Sequence, residues 1–259
     1  MIPFGSPFDR TKGRLVPTPQ AMLFHEEVAG SFKSARDLMA VAQNIRDLGQ
    51  SKLRVDALAA SSLVLVPTVL RRFREQHPGA IANVAVRSST NIVAAVATQR
   101  LDVGIVDGGI SILDAIGIAT FRFPSVCAMD AGHPLASREA ITFADLARFP
   151  FASLGADYMN RSVSGRSLLE SVNERIEVET FRSFLACGFV LASEALAVVD
   201  PLTAKFYEQI GLVSRPLADE IPFELTIVVN HRSKADNGVQ AFVGLLPSNM
   251  REVDHRCCL

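Results

Sequence analysis

Short apolar segments typical of β-strands alternate with amphipathic helical segments from residue 53 onward, and no other sequence feature constrains the fold as strongly. The pattern predicts strands at residues 53–59, 81–87 and 103–106, with helices at residues 63–77 and 92–99. Alternating units of this kind connect by right-handed crossovers into a mostly parallel sheet. Such sheets bind ligands at the C-terminal ends of their strands, so we expect a binding site there.

A second α/β unit is predicted to begin near Pro124. Its expected strands are residues 125–129, 151–154, 177–180, 196–199 and 225–229, and its expected helices are residues 143–147, 161–172 and 183–191. A last helix, residues 238–246, follows a polar linker. No internal repeat is visible in the sequence. The pattern therefore favours two α/β subdomains.

One long helical stretch precedes the first subdomain. Thr18 can cap its N-terminus with Pro19 in the first helical position, and Gly49 can end it. The apolar side chains recur at steps of three and four, and a helix of about 30 residues is roughly 45 Å long. Because such a helix exposes a long apolar stripe unless it is paired, residues 18–50 are predicted to form an oligomer. The alternative is a surface helix that covers its own domain.

Composition narrows the class of protein. The 259-residue chain is 49 % hydrophobic and has a formal net charge of -1, so DNA contact would need a local basic patch. Its four cysteines form no CxxC pair and are interpreted as reduced cytoplasmic thiols. No stretch approaches the ~20 apolar residues of a membrane span, and the N-terminus does not resemble a signal peptide. We therefore expect a cytoplasmic protein without membrane contact.

Sequence patterns of catalytic sites are not found. The chain has no GxSxG, GxxxxGK[ST] or HExxH motif, and its five histidines lie in unrelated segments. The glycine-containing segment VGIVDGG, residues 103–109, lacks the GxGxxG fingerprint of dinucleotide binding. We therefore expect a protein that is not an enzyme and that holds neither a cofactor nor a metal.

Several segments resemble the LysR-type transcriptional regulators. The end of that family's winged helix-turn-helix is similar to FDRTKGRLVPT, residues 8–18. Its first regulatory-domain helix and a following short strand are similar to VPTVLRRFREQHP, residues 66–78, and QRLDVGIV, residues 99–106. The start of its second subdomain is similar to DAGHPLA and ITFADLARFPFASLG, residues 130–136 and 141–155. A branch that responds to amino-acid-derived compounds such as opines is similar to VVDPLTA, residues 198–204.

The resemblance implies a two-subdomain, periplasmic-binding-protein-like (type II) effector domain behind a long linker and dimerisation helix. It divides the chain into a remnant wing at residues 1–17, the linker helix at residues 18–50, effector subdomain I at residues 51–123 and 233–259, and effector subdomain II at residues 124–232. The partners it implies are a small-molecule effector, DNA, and further copies of the chain in a homodimer or tetramer.

Three basic residues lie in the wing-like segment. Arg10, Lys12 and Arg14 can meet DNA phosphates, which position a protein on DNA without reading its sequence. The alternative is a basic surface turn. Only seven residues precede Phe8, so the family's recognition helices are largely absent from this sequence, through a late start codon or a real truncation. A truncated regulator could be inactive or dominant-negative.

The candidate effector-binding side chains in the first subdomain are mostly hydroxyls. Ser61 and Ser62 follow the first predicted strand, and Ser89 and Thr90 follow the second. Hydroxyls and free N–H groups at helix starts favour an anion, so we expect them to bind a carboxylate between the subdomains. Asp107, at the end of the third strand, is expected to face the same cleft. The alternatives are helix capping for the hydroxyls and turn capping for Asp107.

The second subdomain contributes seven candidates, which are Asp157, Tyr158, Asn160, Phe181, Arg182, Ser183 and Asp200. Asp200 could pair with an amine and Arg182 with a second carboxylate, so the expected effector is a small carboxylate or an amino-acid-like compound. Each could instead be a solvated surface charge. Two other functions remain open: a solute-binding protein of a transporter, which should carry a signal peptide, and an enzyme, which needs converging catalytic groups.

Overall fold

The computed structural model describes residues 8–11, 14–18, 52–112 and 115–257, and it divides the chain into two units, residues 1–51 and 52–259. In the first unit, strands β1 (Phe8–Thr11) and β2 (Arg14–Pro17) pair antiparallel, with Phe8 opposite Pro17. These two strands lie in the wing-like segment, residues 8–18. Lys12 and all of the predicted linker helix except Thr18 lie outside the described residues.

The second unit contains two five-stranded sheets, and each sheet with its helices is called a lobe here. Lobe I has strands β3 (Lys52–Ala57), β4 (Ile81–Val86), β5 (Val103–Asp107), β6 (Ile116–Pro124) and β12 (Pro222–Val229). Its helices are α1 (Ala59–Leu63), α2 (Leu65–Gln76), α3 (Ser89–Ala97) and α9 (Asn237–Cys257). The strand order is β4-β3-β5-β12-β6.

Lobe II has strands β7 (Val126–Asp130), β8 (Phe151–Ser153), β9 (Ile176–Glu179), β10 (Leu196–Val199) and β11 (Leu212–Pro216). Its helices are α4 (Phe143–Leu146), α5 (Ala156–Met159), α6 (Val163–Val172), α7 (Ser183–Leu191) and α8 (Pro201–Glu208). The strand order is β11-β7-β10-β8-β9.

Two expectations about the sheets are wrong. The strand predicted at residues 225–229 was assigned to the second subdomain, but β12 pairs with β5 and β6 in lobe I. Both sheets are also mixed rather than mostly parallel: in each sheet two of the strand pairings are parallel and two are antiparallel. The chain therefore crosses between the lobes twice, from β6 to β7 and from β11 to β12.

Helix caps and buried strands explain why these segments fold as they do. Thr142 and Asp145 form a capping box at the start of α4, and the Ser162 hydroxyl accepts from the Gly165 N–H, 2.9 Å, at the start of α6. The central strands β5 and β10 are apolar and almost fully buried, as expected where helices cover both faces of a sheet. None of the described helices is long and apolar enough to cross a membrane.

Candidate functional site

A cleft of about 270 Å³ lies between the two lobes. Lobe I lines it with Leu58, Ala59, Ala60, Arg87, Ser88, Ser89, Thr90, Asp107, Ile110 and Phe223. Lobe II lines it with Leu154, Tyr158, Arg161, Phe181, Arg182, Ser183, Phe184, Asp200 and Thr203. Nearly all of these residues end or follow the six parallel strands, β3, β4 and β5 in one lobe and β8, β9 and β10 in the other. The cleft therefore occupies the place where sheets of this type bind ligands.

The hydroxyls of lobe I lie at the start of α3. The backbone of Ser88 caps that helix, and its side chain makes no capping hydrogen bond; its Oγ lies 3.3 Å from Oγ1 of Thr90. The Asp107 N–H donates to Oγ of Ser89, 3.0 Å, which ties the helix to the end of β5. The first turn of α3 thus faces the cleft without a side-chain cap, an arrangement that favours an anion.

Arg87 follows β4 and contributes a partly compensated positive charge. Its Nε lies 2.7 Å from Oδ2 of Asp56, which is buried in β3. Burial raises the pKa of the Asp56 carboxyl, and the charge of Arg87 opposes that rise. The Arg87 side chain is itself 57 % exposed, so the rest of its guanidinium remains accessible from the cleft.

Arg182 contributes a positive charge from lobe II. Its Nη1 donates to the backbone carbonyl of Phe181, 2.8 Å, and the side chain is exposed. Among the described residues, no acidic side chain forms an ion pair with Arg182. It stands immediately before α7, which, like α3, has no side-chain cap. A guanidinium and an open helix start therefore meet at one edge of the cleft.

Asp200 is fully buried and serves α8. Its Oδ1 accepts from the Thr203 N–H, 2.7 Å, and its Oδ2 accepts from the Thr203 hydroxyl, 2.9 Å. Burial raises the pKa of this carboxyl, and hydrogen bonds from Ser183 and Thr203 oppose the rise. Both oxygens are thus engaged by Thr203, which argues against the predicted pairing of Asp200 with a ligand amine.

Asp107 and Arg161 connect the lobes across the cleft. Oδ1 of Asp107, in lobe I, lies 3.1 Å from Nη1 of Arg161, in lobe II. The guanidinium of Arg161 also lies over the ring of Tyr158, 5.4 Å from its centroid. Burial raises the pKa of the Tyr158 hydroxyl, and the nearby carboxylates of Asp200 and Asp107 raise it further. Tyr158 packs against the hydrophobic cores of both lobes, so it lies at the junction between them.

The structure brings together most of the residues selected from the sequence. The cleft is lined by Ser89, Thr90, Asp107, Tyr158, Phe181, Arg182, Ser183 and Asp200. Ser61 and Ser62 do not line it; their hydroxyls donate to the Leu58 carbonyl at 3.0 and 2.9 Å and so satisfy themselves within α1. Asn160 is exposed outside the lining, and only the backbone of Asp157 is described.

Sequence reasoning missed Arg87, Ser88, Arg161 and Thr203. Arg87 and Ser88 directly follow β4. The expectation that ligands bind at the C-terminal ends of the strands, called the strand-end rule here, could therefore have found them. Arg161 was expected to begin a helix, yet α6 begins two residues later, at Val163. Only the folded chain shows that Arg161 reaches Asp107, 54 residues away in sequence. In the part of the chain that the structure describes, no three His, Cys, Asp or Glu side chains are placed to share a metal ion.

Comparison with known sequences gives consistent matches. Residues 46–251 match the family described as LysR substrate binding domain. The transcriptional activator protein LysR of Escherichia coli (strain K12) is 28 % identical over 249 residues, which cover 94 % of this chain and 78 % of that protein. The octopine catabolism/uptake operon regulatory protein OccR of Rhizobium meliloti is 26 % identical over 213 residues, which cover 79 % and 68 %.

Solved structures share the fold at low sequence identity. The BenM effector binding domain with its effector benzoate superimposes with a TM-score of 0.59 at 17 % identity, covering 79 % of this chain and 92 % of that one. Full-length CbnR complexed with its target DNA gives 0.64 at 13 % identity, covering 91 % and 83 %. These matches confirm the predicted two-subdomain, periplasmic-binding-protein-like fold.

Proposed function

Because the chain belongs to the LysR substrate-binding-domain family, as its motifs predicted, we propose that it senses a small carboxylate, amino-acid-like in chemistry, within a LysR-type transcriptional regulator. The ligand binds between lobes I and II. The observation that carries this proposal is that guanidinium groups and two uncapped helix starts converge on one cleft at the ends of six parallel strands. The role is binding rather than catalysis.

Arg182 and the hydroxyls of α3 are the proposed carboxylate ligands. A guanidinium can bind a carboxylate through two parallel hydrogen bonds, and Arg182 has no acidic partner to give up among the described residues. On the opposite wall, Thr90 and the first turn of α3 offer hydroxyl and N–H donors. A small anion held between these walls bridges the two lobes.

The chemistry of the relatives supports a compound of this class. OccR is, by its name, a regulatory protein of an octopine catabolism and uptake operon. Octopine is an opine that carries carboxylates on an amino-acid skeleton. The apolar part of the lining, including Leu154, Phe181 and Phe223, can accommodate the carbon chain of such a compound. An aromatic acid such as the benzoate bound by BenM is the less favoured alternative, because the cleft has more charged groups than benzoate can satisfy.

Lobe movement is the proposed link from ligand to regulation. The two crossing segments hydrogen-bond to each other, with the Ser125 N–H donating to the Ile221 carbonyl, 2.8 Å, which is the arrangement of a hinge. A ligand that contacts both lobes stabilises their closed arrangement. We propose that this change acts on the oligomer formed through residues 18–50, and that Arg10, Lys12 and Arg14 contact DNA phosphates in the cytoplasm.

Calorimetry with variants of both walls tests the ligand site. Arg182→Ala and Ser89→Ala should each weaken carboxylate binding roughly tenfold or more. Arg182→Ala loses a charge-assisted hydrogen bond to the ligand, and Ser89→Ala loses a hydroxyl donor and the contact that positions Asp107. The panel contains amino acids, octopine and benzoate. Arg148→Ala, at an exposed position of lobe II outside the cleft, is the matched control and should bind as the parent does.

Two results would contradict the proposal. Unchanged affinity in both cleft variants removes the proposed site. Tightest binding to a compound without a carboxylate removes the proposed chemistry while leaving the family assignment in place.

A further inference from the structure

The ion pair between Asp107 and Arg161 is the one charged contact across the cleft among the described residues. We infer that this pair determines specificity: a ligand inserts between the two side chains, placing an ammonium on Asp107 and letting Arg161 share its carboxylate with the ligands already proposed, Arg182 and the α3 hydroxyls. The inference rests on the proposed function, and it adds that the cleft selects amino acids against plain acids.

The pair is easily exchanged. It joins one oxygen of Asp107 to one nitrogen of Arg161, and the two side chains are 27 % and 52 % exposed. Arg54 and Asp102 form a contrasting pair within lobe I, in which Nε and Nη2 donate at 3.0 and 2.7 Å and Ser233 adds a third hydrogen bond. Exposed single contacts contribute little to stability, so a ligand can replace the contact across the cleft at small cost.

Each partner is also positioned independently of the other. The backbone of Asp107 is fixed by its hydrogen bond to Ser89, and the next residue donates to the Glu224 carbonyl, 2.8 Å. The guanidinium of Arg161 is placed over the ring of Tyr158. When a ligand separates the pair, both charges therefore remain oriented toward the cleft.

Asp107 is also the acidic side chain best placed for an amine. Asp200 has both oxygens engaged by Thr203, and Asp56 is buried against Arg87. A plain acid that takes Arg161 leaves Asp107 half-buried without a counter-charge, whereas an amino acid supplies one. The cleft should therefore disfavour the acid that lacks the amino group.

The test measures dissociation constants by NMR titration to 10 mM for two matched pairs of compounds: L-glutamate with glutarate, and L-norleucine with hexanoate. Within each pair the compounds differ by the α-amino group. The parent chain should bind at least one amino acid about tenfold more tightly than its matched acid. Asp107→Asn should reduce that ratio to about one, both by weakening the amino acid and by strengthening the acid.

Two further variants separate specificity from general damage. Glu170→Gln removes a carboxylate from an exposed position on α6 and should leave the ratio unchanged. Arg161→Gln should weaken both members of a pair, since both place a carboxylate on the guanidinium, and should keep the preference for the amino group. The dispersion of each NMR spectrum reports whether the variant is folded, and Arg161→Gln alters only an exposed side chain.

The outcomes distinguish this inference from the proposed function. Equal affinity for amino acid and acid in the parent chain, or an unchanged ratio in Asp107→Asn, overturns the role of the pair alone. A cleft that binds none of the four compounds at 10 mM overturns both the amino-acid ligand and its selection by Asp107.

Discussion

The two sheets have equivalent strand orders, since β4-β3-β5-β12-β6 in lobe I corresponds to β9-β8-β10-β7-β11 in lobe II. Two aspartates occupy equivalent places in them. Asp107 ends β5 and Asp200 follows β10; each of these strands is the third of a parallel set and has an antiparallel neighbour. After Asp200 the chain enters α8 through Pro201, and the carboxylate is buried as its cap. After Asp107 comes Gly108, no helix starts there, and the carboxylate remains open to the cleft. The residues on the C-terminal side of each strand therefore decide the role of its aspartate.

The lobes also contribute unequal chemistry to the cleft. Lobe I supplies hydroxyls, the accessible carboxylate and Arg87, whose charge Asp56 partly compensates. Lobe II supplies aromatic rings and the guanidinium groups of Arg161 and Arg182. A ligand with charges of both signs satisfies both walls, which a neutral or purely aromatic compound does not.

The largest expected effect comes from a residue of one lobe that packs in the core of the other. Leu202, on α8 of lobe II, is fully buried in the hydrophobic core of lobe I. Leu202→Ala should lower the free energy of unfolding by about 2–5 kcal/mol, because it removes buried apolar groups and leaves a cavity where the lobes join. Chemical denaturation measures this change. Leu185→Ala, at a side chain 53 % exposed on α7, is the matched control and should change stability by less than about 0.5 kcal/mol.

If Leu202→Ala had no larger effect than its control, the two cores would be energetically separate. The two lobes would then behave as independent domains, and a ligand in the cleft would be the main interaction that joins them.

The alternation of strands and helices predicted the architecture but not the pairing of every strand. The predicted bounds of α7 and β10 match the structure, because both segments are apolar and bounded by polar or turn residues. By contrast, β6, β11 and α8 were missed, and β12 was placed in the wrong lobe. A strand's partners depend on contacts far away in sequence, and periodicity does not report them.

The candidate site was predicted to a similar degree. The strand-end rule located Asp107 and Arg182, because their positions depend on local order along the chain. It could not show that the Asp200 carboxylate is buried and bonded to Thr203, or that Arg161 forms an ion pair with Asp107 in the other lobe. It also suggested Ser61 and Ser62, whose hydroxyls instead bond to their own helix turn. Burial and side-chain partners come only from the assembled fold.

A smaller effect should separate the two equivalent aspartates. Asp200→Ala removes two buried hydrogen bonds, one of which is the cap of α8, so it should cost about 1–3 kcal/mol of unfolding free energy. Asp107→Ala removes a half-exposed ion pair and should cost less than about 1 kcal/mol. Thermal and chemical denaturation of both variants measure the difference. Equal losses would mean that the open carboxylate of Asp107 is structural after all.

The pH dependence of stability sharpens the same contrast. Burial raises the pKa of Asp200 above its ordinary value of 3.8. Between pH 3.8 and the raised pKa, the folded chain therefore retains a proton that the unfolded chain has lost. The contribution of Asp200 to stability is therefore full below pH 3.8 and is lost as the pH rises through the raised pKa. Asp200→Asn should lack this decrease, so the stability of the parent relative to the variant should fall as the pH rises. A difference that rises with pH would contradict the sign.

The smallest expected effect compares two helices that hold equivalent places, α3 after β4 and α7 after β9. Both have nine residues, and their sixth residues are Ala94 and Gly188, each exposed. A Cβ added at Gly188 would meet only the Tyr207 hydroxyl, at 4.0 Å. Because glycine costs roughly 0.5–1 kcal/mol relative to alanine within a helix, Gly188→Ala should stabilise the chain by about that amount, and Ala94→Gly should destabilise it equally. Urea denaturation of the two variants and of their combination measures both changes, and the combination should have the parent's stability because the sites lie in different lobes. A loss of stability in Gly188→Ala would show that the added methyl group disturbs the packing of α7 against Tyr207, a constraint that α3 does not share.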